Sequence, residues 1–223
     1  FGSTFTLTAT PATGYVFKHW NEPTHYGDVN VVTDYDLDHS NAGHVYTWTA
    51  SFGPMDINIA IDDPDAAYGI TITTPSPIVT SYGATVSTPE YTNADANMYE
   101  VTGWKDAADN DIVFPYTVNV TSDITIHAVI EGTPHTLTLT AATYAGETSA
   151  TLRYGTTFTL TPVVPEGKEF KNWKVNGADD SDDPDHVFTM GTGDMSIEAI
   201  FEDVHYTVSA TANPAGAATF TGT

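Results

Sequence analysis

The chain has 223 residues, 40% of them hydrophobic and 12% aromatic, and 29 acidic residues against 6 basic ones give it a formal charge of −23. A polyanion of that size repels phosphate backbones and anionic lipid, so nucleic acid is excluded as a partner and a hydrated or cation-binding surface is favoured. It contains no cysteine, which removes disulfides, thiolate metal sites and cysteine nucleophiles together, and no apolar run approaches the ~20 residues of a membrane-spanning helix, so no membrane insertion is expected.

Near the N-terminus Phe5, Leu7 and Ala9 alternate with Thr4, Thr6 and Thr8, the period-two pattern of a half-buried strand. Pro11 and Gly14 then punctuate a turn, and Phe17-Lys18-His19-Trp20 follows. From Trp20 to Tyr46 the chain runs 26 residues, an enlarged loop, before the alternating series Met55, Ile57, Ile59 and Ile61 ends in Asp62. Tyr82-Gly83-Ala84-Thr85-Val86 is a worn copy of the opening Phe1-Gly2-Ser3-Thr4-Phe5, and Val101-Thr102-Gly103-Trp104 supplies a second tryptophan. Ile124, Ile126, Ala128 and Ile130 close on Glu131. A third round reads Tyr154-Gly155-Thr156-Thr157-Phe158, Phe170-Lys171-Asn172-Trp173 and Ile197 to Glu202. The residues before the three tryptophans, His19, Gly103 and Asn172, are types that tolerate positive φ, which predicts a turn or bulge there. No segment spaces its apolar residues by three and four over ten positions, so long helices are not expected.

Ile61, Ile130 and Phe201 fall 69 and 71 residues apart, a period suited to an array of small domains. The expected fold is all-β, a tandem array of units of about seventy residues, and a short helix in a variable loop would make each unit grasp-like. The boundaries read as 1–63, a unit lacking its opening strands, 64–132, 133–203, and 204–223 as the opening strands of a further unit. Trp20, Trp104 and Trp173, recurring in register, are the expected core anchors.

The run Gly14-Tyr15-Val16-Phe17-Lys18-His19-Trp20, its counterpart Gly167-Lys168-Glu169-Phe170-Lys171-Asn172-Trp173 and the closing Ala199-Ile200-Phe201-Glu202 resemble the divergent internalin-B-type B-repeat, also called the Listeria–Bacteroides repeat. The middle unit departs from the pattern, with Asn97-Met98-Tyr99-Glu100-Val101 where Gly and Phe are expected. The resemblance implies an extracellular bacterial surface protein in which such modules form stalks or adhesive arrays, and it supplies no catalytic residues.

Two loop constellations carry candidate chemistry. Asp34, Asp36 and Asp38 place carboxylates at alternate positions, as the first half of a calcium loop does, and Asp179 to Asp185 and Asp106, Asp109 and Asp111 occupy the matching loop after the other tryptophans. His39 and Val45 stand where an EF-hand needs its glycine and its bidentate glutamate, so calcium competes with a plain solvated acidic loop. In the enlarged first loop Tyr26, Tyr35 and Trp48 lie among amides and carboxylates, the mixture a sugar-binding surface uses, with Trp48 read at the place of Val118 and Met190. Catalytic fingerprints are missing from the sequence, so an enzyme is not expected.

The leading expectation is a non-enzymatic surface array whose partners are neighbouring copies or flanking repeats; a carbohydrate-binding module, or one that binds a host or cell-surface protein, is the competing class. Phe1, Tyr206 and Val208 mark an assembly interface in this reading. Residues 204–223 repeat the opening strands of a unit and would dock on residues 1–63 of the next copy, or of the next segment in one longer polypeptide.

Overall fold

The computed structural model describes residues 5–21, 31–34, 47–211, 213, 215, 218 and 219, with backbone alone for 31–34. Chain contacts divide it into two units, Phe1–Glu131 and Gly132–Thr223. The expected all-β architecture is present: a 3₁₀ turn at Ala66–Tyr68 is the one helical element among the described residues.

The second unit shows one repeat in full. Its opening strand, Pro134–Thr140, buries alternate residues and presents Thr136, Thr138 and Thr140 outward. It pairs antiparallel with a hairpin strand, Ser149–Arg153, and parallel with the closing strand, Met195–Asp203, with Leu137 opposite Met195 and Leu139 opposite Ile197. The closing strand pairs on its other edge with the tryptophan strand, Lys168–Val175. A parallel pair needs a long crossover between its members, and here everything between the hairpin and the closing strand supplies it. A helix in that crossover would have made the unit grasp-like. Short pairs do the work instead, Thr157–Thr159 with Val187–Thr189 and Ala142–Thr143 with Thr161–Pro162. Leu137, Leu139, Phe158, Leu160, Trp173, Phe188, Met190 and Ile197 close the core between sheet and crossover.

The first unit repeats this plan with other side chains. Its four-stranded sheet has the same order: hairpin Ile78–Ser81, opening Asp56–Asp62, closing Ile124–Gly132, tryptophan strand Tyr99–Asp106. Ile59 lies opposite Ile124 and Ile61 opposite Ile126, again in parallel. Met190 in the third repeat and Val118 in the second, both 0% exposed, accept at their carbonyls from Gly155 and Gly83 and donate from their amides to Thr156 and Ala84. The middle repeat, the least regular in sequence, is thus a full copy in topology.

This pairing corrects one equivalence drawn from sequence. Ile57 to Asp62 was matched with the closing strands, yet it pairs as an opening strand. The first repeat closes earlier, on Thr49–Pro54, which pairs antiparallel with its tryptophan strand Tyr15–Asn21. Phe5–Thr8 pairs with Val31–Asp34 from the enlarged loop.

A skipped residue explains the Phe-x-x-Trp spacing. In a regular strand residues three apart face opposite sides of the sheet. Here Phe170 pairs with Phe201 and Asn172 with Ile200, leaving Lys171 as a bulge, and Phe17, His19 and Lys18 repeat the arrangement. The inserted residue restores parity, so both aromatics face the core, 5.0 Å apart for Phe170 and Trp173 and 5.7 Å for Phe17 and Trp20. The bulge lies one residue earlier than expected, and His19, Gly103 and Asn172 do not take positive φ. Outside the core, Lys171 meets Glu202 at 3.1 Å and Lys168 meets Asp203 at 2.8 Å, exposed pairs each contributing at most ~1 kcal/mol.

Deleting Lys171 is expected to put Phe170 and Trp173 on opposite faces and abolish the cooperative urea unfolding of the third repeat, whereas Lys171→Ala should cost under about 1 kcal/mol. Trp173 is 0% exposed, and Trp173→Ala is expected to cost ~3–5 kcal/mol by the same measurement. Trp20 is half-buried and its replacement should cost less.

Candidate functional site

The loops after the tryptophans hold the polar residues that sequence singled out. In the third repeat Trp173 donates its indole N–H to the Asp183 carbonyl at 3.0 Å, and its backbone bonds to Asp180 and Ser181 hold the loop against the strand. Asn172 Nδ2 donates to Asp179 Oδ1 at 2.9 Å, Asp185 donates its amide to Asp183 Oδ1 at 2.9 Å, and His186 lies 3.3 Å from Asp180. Lys171, Asn172, Asp179, Asp180, Ser181 and Asp182 line an open depression of about 500 Å³.

In the second repeat Asp106 closes its own loop. One carboxylate oxygen accepts from the amides of Ala108 at 2.8 Å and Asn110 at 2.9 Å, and the other from Asn110 Nδ2 at 2.9 Å. These bonds, the Asn110 side chain first, hold its carboxyl below the usual aspartate range. A second carboxylate device recurs in both full repeats. Just before the closing strand Asp123 accepts from the Asn58 amide at 2.8 Å and from its side chain at 3.1 Å, and Asp194 accepts from the Thr136 amide at 2.8 Å. Each carboxylate satisfies an amide at the start of an opening strand. The Asn58 backbone bond is the main cause of a lowered Asp123 pKa. Sequence reasoning missed this pair; an aspartate standing before Ile124 and before Met195 was the available signal.

Among the described residues no group of three His, Asp or Glu side chains is placed to hold a metal. Asp34 pairs through its backbone opposite Phe5, and Asp36 and Asp38, with Tyr26 and Tyr35, lie outside the described residues. Trp48 is half-buried and its ring lies edge-on to Trp20 at 6.2 Å and to Phe5 at 6.1 Å. In the third repeat Phe188 meets Trp173 and Phe158, each at 5.6 Å. Trp48 thus makes ring contacts like those of Phe188, an argument for packing over ligand contact. Tyr206 and Val208 are 84% and 91% exposed on a segment without regular structure; Phe1 is outside the described residues.

Fold and loops together define a tandem all-β repeat protein, its tryptophan-centred cores recurring from repeat to repeat and the carboxylates of Asp106, Asp123, Asp183 and Asp194 bound to its own backbone amides. A model of the divergent InlB B-repeat domain matches residues 1–52 and 135–205, and the chain belongs to that family. No curated protein and no solved structure matches it. The first matched segment ends inside the closing strand Thr49–Pro54, and the middle repeat lies between the two segments.

A carboxyl whose folded pKa lies below its unfolded one contributes stability that is complete above the unfolded value and is lost as pH falls through the folded one. Asp106→Ala plus Asp123→Ala is therefore expected to lower the melting temperature at pH 7. The difference from the parent should shrink as pH drops below about 4; a pH series of thermal melts of the two proteins checks it.

Proposed function

We propose that the chain is a tension-bearing segment of an extracellular repeat array, a non-enzymatic stalk or fibre section of a bacterial surface protein. Membership of the B-repeat family suggests a surface or extracellular repeat domain of structural or binding type. Among the described residues no helix is long and apolar enough to cross a membrane.

The observation that carries the reading is the parallel pairing of each full repeat's first and last strands, Ile59 with Ile124 and Leu137 with Met195. Force entering at the start of the opening strand and leaving at the end of the closing strand pulls the two past one another. Their hydrogen bonds are then loaded in shear and share the load, instead of opening one after another. One residue, Met55 or Thr133, separates each closing strand from the next opening strand, leaving little slack to extend before the sheets are loaded. The charge of −23 keeps such an array hydrated and resists its collapse onto like-charged surfaces.

Single-molecule stretching of the intact chain tests this. The third repeat, strands spanning Pro134 to Asp203, should give one abrupt event lengthening the chain by roughly 200 Å, its extended length at 3.3–3.6 Å per residue less the ~35 Å it already spans when folded. Leu139 donates its amide to Thr148 on the hairpin side, so by alternation Thr138 faces the closing strand, and Thr138→Pro should lower the force of that event where Thr138→Ala does not. Gradual extension at low force in the parent would reject a load-bearing role. Glycan binding abolished by Tyr26→Ala plus Tyr35→Ala would favour a carbohydrate-binding module instead.

A further inference from the structure

The sequence has one Asn-Gly step, Asn176-Gly177, and the third repeat places it at the turn between the tryptophan strand and the short strand Ala178–Asp179. Val175 pairs with Ala178 across it. The two central residues take φ +49° and +83°, as in a type I′ turn, which Asn-Gly favours because both residues tolerate the left-handed region. The closing strand clamps the same asparagine. Its amide donates to the Ser196 carbonyl at 2.8 Å, and its Oδ1 accepts from the Ser196 amide at 2.9 Å and from Ser196 Oγ at 3.3 Å.

Asn-Gly is also the step most open to attack by its own backbone. The Gly177 nitrogen, once deprotonated, adds to Asn176 Cγ; the new N–C bond closes a five-membered succinimide, the bond from Cγ to Nδ2 breaks and ammonia leaves. Water then opens the ring at either carbonyl. One opening leaves an aspartyl residue, the other an isoaspartyl link that carries the main chain through the side-chain carbons. Glycine permits the attack because no Cβ shields its nitrogen. Every other asparagine in the sequence precedes a residue with a Cβ.

Ring closure needs Asn176 Cβ and the Gly177 nitrogen on the same side of the Cα–C bond. The first central residue of a type I′ turn has ψ near ~+30°, which sets the two roughly opposite one another. Cγ cannot reach the nitrogen until the turn opens, and opening it gives up the bonds to Ser196. Asn176 is exposed to water, so the geometry withholds the attack and not the hydrolysis. We infer that Asn176-Gly177 is a deamidation site gated by the fold, closed in the folded third repeat and open when its tryptophan strand leaves the closing strand. An aspartyl product still accepts from Ser196, a carboxylate oxygen replacing the amide oxygen. An isoaspartyl product lengthens the main chain inside a two-residue turn and breaks the pairing of Val175 with Ala178. Time spent unfolded is thereby written into the covalent structure.

The site does not depend on the load-bearing reading, since any route to unfolding opens it. Peptide mapping by mass spectrometry, with chromatographic separation of the isoaspartyl product, follows the intact chain in mildly alkaline buffer with and without unfolding urea. Conversion at position 176 is expected to be ~tenfold or more faster in urea. In urea, where folding plays no part, Gly177→Ala should slow it by a similar factor, and Asn119, followed by Val120, should convert far more slowly than Asn176. Equal rates at position 176 in buffer and in urea overturn the gate. No conversion there in urea, conversion that Gly177→Ala does not slow, or a rate that Asn119 matches overturns the site itself.

Discussion

One inserted residue in the tryptophan strands of the first and third repeats holds the rest of each of those repeats in place. A repeat of this size buries only about 60% of its unfolded surface and is marginal by itself, so losing a large aromatic from its core is costly. Without the bulge at Lys171, Phe170 or Trp173 would face water, and the rings packed around them would lose their partner. With it, Trp173 touches Phe170 on its own strand and Phe188 across the crossover, and Phe170 touches Phe201 on the closing strand. The first repeat builds the same figure from Phe17, Trp20, Phe52 and Trp48. The second sets Phe114 edge-on to Trp104 at 6.3 Å and Tyr116 against Phe114 at 6.4 Å, with the aliphatic Val86 and Val101 in the same core.

What sequence conveyed follows from what is local. Alternation announced the opening and closing strands, and the recurrence of tryptophan announced the core. Pairing partners are not local. Ile57, Ile59 and Ile61 alternate in the same way whether the strand opens a repeat or closes one, and only the parallel ladder with Ile124 and Ile126 decides. The bulge was anticipated one residue late because it was inferred from residue types suited to positive φ. A bulge whose first residue stays near the right-handed helical region needs no such type, and lysine at 18 and 171 gives no warning.

The acidic residues divide in the same way. Their abundance was plain and suggested cation binding, but their function depends on which amide lies within reach. Asp106 reaches its own loop, and Asp123 and Asp194 reach strands 65 and 58 residues away in sequence. An aspartate that bonds a backbone amide has part of its lone-pair capacity occupied, which makes it a poorer start for a calcium shell. The charge that remains on the surface acts at longer range, through hydration and repulsion.

Topology links these local devices to an array. When the first and last strands of a unit are parallel neighbours, the chain enters at one end of the sheet and leaves at the other; antiparallel neighbours would return it to its point of entry. A parallel centre is therefore the arrangement in which repeats can follow one another with a single residue between them, as at Met55 and Thr133. It also brings the turn that ends on Gly14 next to the exit from the first repeat, where the next aromatic-Gly turn must pass. The bond from Met55 to Gly14 and the Tyr82 ring above it follow from that proximity, and the same proximity exists at Val204 and Gly167.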